Sequence, residues 1–264
     1  MDPILSSVAH RPWPLPEGPW VLTQRWHNLL FAHWPVAPAA LRSLVPQPLV
    51  LDTYNAQAWV AVTPFQIAGN RARLLPPLPP TSSFPELNVR TYVTFDGKPG
   101  VYFFSLDAGS FLAALGARLG YGLPYFHAAM RIKLEEGGFK YWSRRYGAEA
   151  EFLARYAPAG NPRNPQRGSL EHFLTERYCL YRVGARGALY RADIHHLPWP
   201  LEDATASIER NTVASAAGIQ LPDAAPLLYY AGELKVYIWP LRRVAAPAYV
   251  FEQERTGQVA VKPV

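Results

Sequence analysis

A chain of 264 residues, 49% apolar and 17% charged, can bury a large core, and its single cysteine, Cys179, excludes an intramolecular disulfide framework. A formal net charge of +6 invites a nucleic-acid reading, but the 21 arginines and 5 lysines are scattered, with only short pairs such as Arg144-Arg145 and Arg242-Arg243. No run approaches the ~20 apolar residues of a spanning helix, and MDPILSSVAHRPWPLPEG lacks a basic region followed by an apolar core; a cytoplasmic protein with no nucleic-acid and no membrane partner is expected.

In chain order, the patterning predicts a strand at 21–31, then a short helix where Pro38 opens AALRSLV and Pro46 and Pro48 stop it. Strands follow at 58–67, 88–95 and 101–106, the last two joined by a tight turn at Asp96-Gly97. Between them and the second, the Pro-rich 74–85 reads as a stiff surface loop, with a lid over a site as the alternative. Phe111, Leu112, Leu115 and Leu119 recur at helical spacing, and Gly120, Gly122 and Pro124 end that helix. Further strands are predicted at 127–134, 139–145, 149–156, 178–183, 188–195 and 234–240, with a turn of helix in SLEHFLTERY and a helix over 207–217. Many strands and few helices predict a mainly β or α+β fold, most economically a closed antiparallel β-barrel with a few short flanking helices. No charge run, Gly/Ser tract or repeat divides the chain, so one domain over 1–264 is expected, with 1–18 an N-terminal extension and 245–264 a C-terminal tail.

The strand FPELNVRTYVTF carries the candidate site. Asn88, Arg90, Tyr92 and Thr94 alternate with Val89, Thr91 and Val93, and Glu86 precedes them. Alternation alone does not say which face is interior. An inward Arg90 needs an anion, either a protein carboxylate such as Glu86 or Asp107 or a carboxylate ligand. In QRWHNLLF, Arg25, His27 and Leu29 share one face and Gln24, Trp26 and Asn28 the other; His27 is either an acid-base group or a solvated histidine. The seven histidines match no compact metal-ligand spacing, and His195 and His196 point apart if the strand runs through them. GxSxG, GxGxxG and P-loop patterns are absent, so no cofactor is expected. Cys179 reads as a buried inert thiol, and Lys133 and Lys235 are the lysines that could face inward.

The succession ALRSLVPQPLVLD, AWVAVTPFQI, FPELNVRTYV, GVYFFSLDA and GLPYFHAAM resembles the YqjF-like domain-of-unknown-function proteins, over about 240 residues. That family looks like a branch of the acetoacetate-decarboxylase-like superfamily, and ALRSLVPQPLVLD resembles the decarboxylase's short helix ending in VPEPLE. The resemblance implies a β-barrel with an internal small-molecule cavity. It does not bring the chemistry with it, because Pro124 and Tyr125 stand where the decarboxylase has a lysine pair, and neither can form an imine. The decarboxylase's early-strand arginine matches Arg25 with a shift of register and His27 without one. What the resemblance implies is a pocket for an organic acid or carbonyl compound. Arg90, His127 and Glu86 would do the chemistry, and Arg25, His27, Asn88, Tyr92, Arg118 and Tyr125 would hold the substrate. The activity would be lysine-independent and lyase-like or hydrolase-like; a noncatalytic ligand-binding or interaction module is the alternative, and a homo-oligomer is left open.

Overall fold

The computed structural model describes residues 2–184 and 187–246. After a short helix α1 (Pro3–Ser6), the long strand β1 (Leu22–Val36) runs antiparallel to β3 (Ala58–Ala72), with Trp26 opposite Ile67 and Trp34 opposite Val60. Between them lie the proline-initiated helix α2 (Pro38–Arg42) and a two-residue strand β2 (Val50–Leu51) on the edge of β4 (Phe84–Phe95). β4 turns into β5 (Lys98–Ala108) through Asp96 and Gly97, which both have positive φ, as a tight two-residue hairpin of this hand requires.

Helix α3 (Phe111–Tyr121) begins on a Ser110 cap and ends on Gly122 in the left-handed region. It carries the chain back so that β6 (Tyr125–Glu135) lies parallel to β5. The meander β6, β7 (Gly138–Arg145), β8 (Glu151–Pro158) follows, then helix α4 (Leu170–Thr175) on its Ser169 cap. β9 (Cys179–Val183) also pairs parallel with β5, and β10 (Leu189–His195), β11 (Leu201–Asn211), β12 (Leu227–Ile238) and β13 (Arg242–Ala245) complete the sheet. The fold is mainly β with few helices, but the expectation of purely antiparallel pairing is corrected. Crossovers through α3 and α4 bring strands back in the same direction, which a tight hairpin cannot do.

The pairings run from β4 through β3, β1, β12, β11, β8, β7, β6 and β5 and return to β4, while β9 and β10 bridge β5 to β12 by a second route. β1, β3 and β4 are thereby covered on both faces, which explains the long buried runs at 29–34, 58–65 and 86–93. One face, with Leu87, Val89, Val62 and Leu30, packs against Tyr141, Phe152 and Tyr156. The other, with Phe65, Phe31 and Leu29, packs against Val101, Trp199 and Val236.

The helix predicted over 207–217 is replaced by the end of β11 and a 3-10 turn at Ser215–Ala217. Ala204, Ala206 and Ile208 alternate toward the first core while β11 pairs with β8, so tertiary pairing overrides the helical preference of Ala and Glu. The N-terminal segment lies on β10 and β12. Asp2 accepts hydrogen bonds from Lys235 and Tyr237, and His10 Nε2 donates to the His196 carbonyl at 2.8 Å. The tail predicted from 245 lies, beyond 246, outside the described residues. No helix among the described residues is long and apolar enough to cross a membrane.

Candidate functional site

A cavity of about 120 Å³ lies in the second compartment. Alternation on β4 sends Leu87 and Val89 to the first core and Glu86, Asn88 and Arg90 to the cavity. A β-bulge falls between Val89 and Arg90. β1 contributes Gln24 and Trp26, Tyr121 comes from α3 and Tyr125 opens β6. Arg177 follows α4, and His196 and Trp199 follow β10.

Glu86 is 4% exposed. Tyr125 donates its hydroxyl proton to Glu86 Oε2 at 3.0 Å, and Tyr141, from the first core, donates to the Glu86 carbonyl at 2.7 Å. Burial, reinforced by the nearby charge of Asp107, pushes the Glu86 carboxyl up to about 8, against the hydrogen bond from Tyr125. Glu86 is therefore mostly protonated at neutral pH. Burial also holds the Tyr125 hydroxyl well above its ordinary value.

Arg90 is 8% exposed. Its guanidinium lies over the rings of Phe31 and Tyr92, 5.4 and 5.9 Å from their centroids. Among the described residues no carboxylate is within ion-pairing distance of it, and its Nε has no hydrogen-bond partner. Thr63 Oγ1, Asn88 Oδ1 and Trp199 Nε1, which border the same cavity, are likewise without partners. Arg177 differs: its Nη1 pairs with Asp52 Oδ2 at 2.6 Å and its Nε donates to the Phe173 carbonyl at 2.7 Å. Burial lowers His196 to about 4, so its ring is neutral. Among the described residues, the charges bordering the cavity at neutral pH therefore leave Arg90 as an uncompensated cation.

The other predicted site residues lie elsewhere. Tyr92 stands behind Arg90, with its hydroxyl 2.8 Å from His33 Nε2. Arg25 and His27 face away from the cavity, paired with Glu233, because they alternate with Gln24 and Trp26; beyond them Asn28 takes a positive φ of 54° and reverses the alternation of β1. Leu29 consequently faces the cavity with Trp26 instead of sharing the face of Arg25. Arg118 is exposed on α3. His127 does not border the cavity; its ring packs between Phe111 and Tyr146, at centroid distances of 5.5 and 4.7 Å. Sequence reasoning missed Arg177, Trp199, Gln24 and Tyr121.

Cys179 is buried and its thiol is pushed up to about 12 by burial, the state of an inert side chain. No described lysine borders the cavity; Lys133 is exposed and Lys235 is held by Asp2. His195 and His196 do diverge: the first reaches the Ile4 carbonyl and Arg11, the second the cavity.

Among solved structures, the chain resembles the enduracididine biosynthesis enzyme MppR complexed with pyruvate, at a TM-score of 0.62 and 12% identity, covering 89% of this chain and 93% of that one. It also resembles acetoacetate decarboxylase from Legionella pneumophila, at a TM-score of 0.61 and 13% identity, covering 92% and 95%. These similarities establish an acetoacetate-decarboxylase-like fold. In sequence the chain is 51% identical over 230 residues to the uncharacterized protein YqjF of Bacillus subtilis (strain 168), covering 87% of this chain and 95% of that protein. Residues 23–235 match DUF2071, described as an uncharacterized conserved protein, and the chain belongs to that family.

Proposed function

We propose that the ring of strands forms a closed barrel whose cavity binds a small organic acid carrying a carbonyl group, and that it acts on this ligand without a covalent lysine intermediate. The observation that carries this reading is Arg90, a buried guanidinium bordering a cavity with no carboxylate among the described residues paired to it. A buried charge without a counterion is costly, and a ligand carboxylate held by the planar fork of donors offsets that cost. Arg90 is then the carboxylate end of the site. Glu86 lies four residues back on the same strand, about 13 Å away along an extended backbone, so ligand atoms fit between the two side chains.

A protonated Glu86 donates a hydrogen bond to the ligand's carbonyl oxygen, and a group titrating near 8 is well placed to give and take a proton near neutral pH. Tyr125 positions that carboxyl through one oxygen. The cavity is smaller than the ~300–1,000 Å³ of pockets that take drug-sized ligands, which favours a compact acid group. A fold neighbour complexed with pyruvate is compatible with a keto acid.

The test is thermal stabilisation by a panel of short keto acids, hydroxy acids and simple carboxylates, run on wild type and Arg90→Leu. Acids should raise the wild-type melting temperature and leave that of Arg90→Leu unchanged. The absence of any shift in wild type, or an equal shift in a folded Arg90→Leu, defeats the reading. Proton transfer is tested separately by solvent-deuterium exchange at the carbon beside the ligand carbonyl, which Glu86→Gln should abolish while binding persists.

A further inference from the structure

The cavity has an apolar neighbour. A groove of about 320 Å³ runs between the Pro-rich loop, through Leu75 and Leu78, and helix α3, through Ala113, Gly116 and Gly120. Leu22, Gln24, Ala117, Tyr121 and Tyr125 border both the groove and the cavity. A residue that borders both spaces leaves at most its own thickness between them, so a single layer of side chains separates the surface groove from the compartment of Arg90.

The groove is open and largely apolar, with Gln24, Asn70, Arg71 and Thr81 its polar members. Leu75, Leu78 and Leu112 are each more than half exposed along it. The α3 side is made of small residues, and a Cβ added at Gly116 or Gly120 would meet nothing within 4 Å. Those glycines are therefore not demanded by close packing. Neither 69–85 nor 109–134, the segments that form the groove walls, contains an aspartate or glutamate that would repel an incoming carboxylate. On the inner side, among the described residues, three groups at least nine-tenths buried carry unpartnered polar atoms that can donate a hydrogen bond: Arg90 Nε, Thr63 Oγ1 and Trp199 Nε1.

The geometry points to one elongated site that takes an amphiphilic carboxylic acid, its head on Arg90 and its unbranched apolar chain passing Tyr121 and Gln24 into the groove. This inference rests on the carboxylate reading of the cavity and adds the chain that the small cavity cannot hold. A short acid would occupy the cavity alone. Each methylene that reaches the groove leaves water for apolar contact, which should tighten binding about three- to fourfold per methylene.

The experiment is a binding titration with straight-chain carboxylates from propanoate to decanoate, and with 1-decanol, on wild type, Gly116→Leu, Leu78→Ser and Arg90→Leu. Gly116→Leu places a side chain in open groove space on a helix, and Leu78→Ser removes apolar wall from the facing loop without touching α3. Affinity in wild type should rise with chain length, and both groove variants should bind propanoate as wild type does while losing the gain from longer chains. Flat affinity from propanoate to decanoate overturns the groove while leaving the cavity reading standing, and so does a gain that survives both groove variants. Decanol binding that is lost in Gly116→Leu, with no acid bound, overturns the carboxylate head. Binding of none of these ligands overturns both.

Discussion

Buried arginines are held differently in the two parts of the interior. Away from the cavity, Arg145 Nε is 2.7 Å from Asp107 Oδ1 and Arg191 Nε is 3.1 Å from Asp193 Oδ2. Arg11 pairs with no carboxylate among the described residues but donates to the carbonyls of Trp13 and Ile194. At the cavity, Arg177 has Asp52, whereas Arg90 has aromatic rings and open space. The fold is thus able to supply counterions and backbone acceptors to interior guanidinium groups. Among the described residues Arg90 has neither and stands beside a void, and on this the proposed ligand carboxylate rests.

This contrast predicts opposite responses to removing charge. Asp107→Ala strands Arg145 in the interior and should destabilise by about 3–5 kcal/mol, the usual consequence of breaking a buried pair from one side. Arg90→Met removes a cation that no described carboxylate pairs with, so its contacts with Phe31 and Tyr92 are what is lost. Its stability should stay within about 1 kcal/mol of wild type in the absence of ligand. Urea unfolding of the two variants decides the matter, and a large loss in Arg90→Met would make Arg90 a structural residue after all.

Glu86 supplies a second and smaller test, because its environment acts on protonation and not on a fixed charge. Its carboxyl titrates near 4.5 when exposed and is pushed up to about 8 by burial in the fold. Across that window the folded state keeps a proton that the unfolded chain releases. This contribution to stability is complete below about pH 4.5 and is lost as pH rises through about 8. Glu86→Gln should flatten this part of the stability profile, seen as urea midpoints at pH 5 and pH 8.5 that differ less than those of wild type. An unchanged wild-type slope in Glu86→Gln would place the titration on another group.

Much of this architecture is legible in the chain. The alternation of β4 puts Glu86, Asn88 and Arg90 on one side, and the turn at Asp96-Gly97 is written in its residues. What the alternation could not say was which side held the cavity, because both faces of β4 are buried. β1 misled for a different reason. A single positive φ at Asn28 reverses its parity, and asparagine tolerates that conformation without requiring it. His127 is only two residues beyond Tyr125, but about 7 Å further along the strand is already past the cavity. Arg177 and Trp199 follow elements distant in sequence, and only the second route of pairing through β9 and β10 brings them to β4. The strand mistaken for helix at 207–211 was betrayed by period two in Ala204, Ala206 and Ile208, a weaker signal than its composition.

The smallest predicted effect concerns Gly116, which stands to helix α3 as Arg90 stands to the core: a locally unfavourable choice beside open space. Glycine within a helix is less stable than alanine by roughly 0.5–1 kcal/mol, and a Cβ here meets nothing within 4 Å. Gly116→Ala should therefore raise stability by about that amount in a thermal or urea melt. The methyl group also enters the groove, so the same variant should weaken the longest acids more than propanoate, and less than Gly116→Leu does. A gain in stability accompanied by that graded loss would tie the glycine to the ligand's chain, because a helix defect without a binding role would be repaired at no cost to binding.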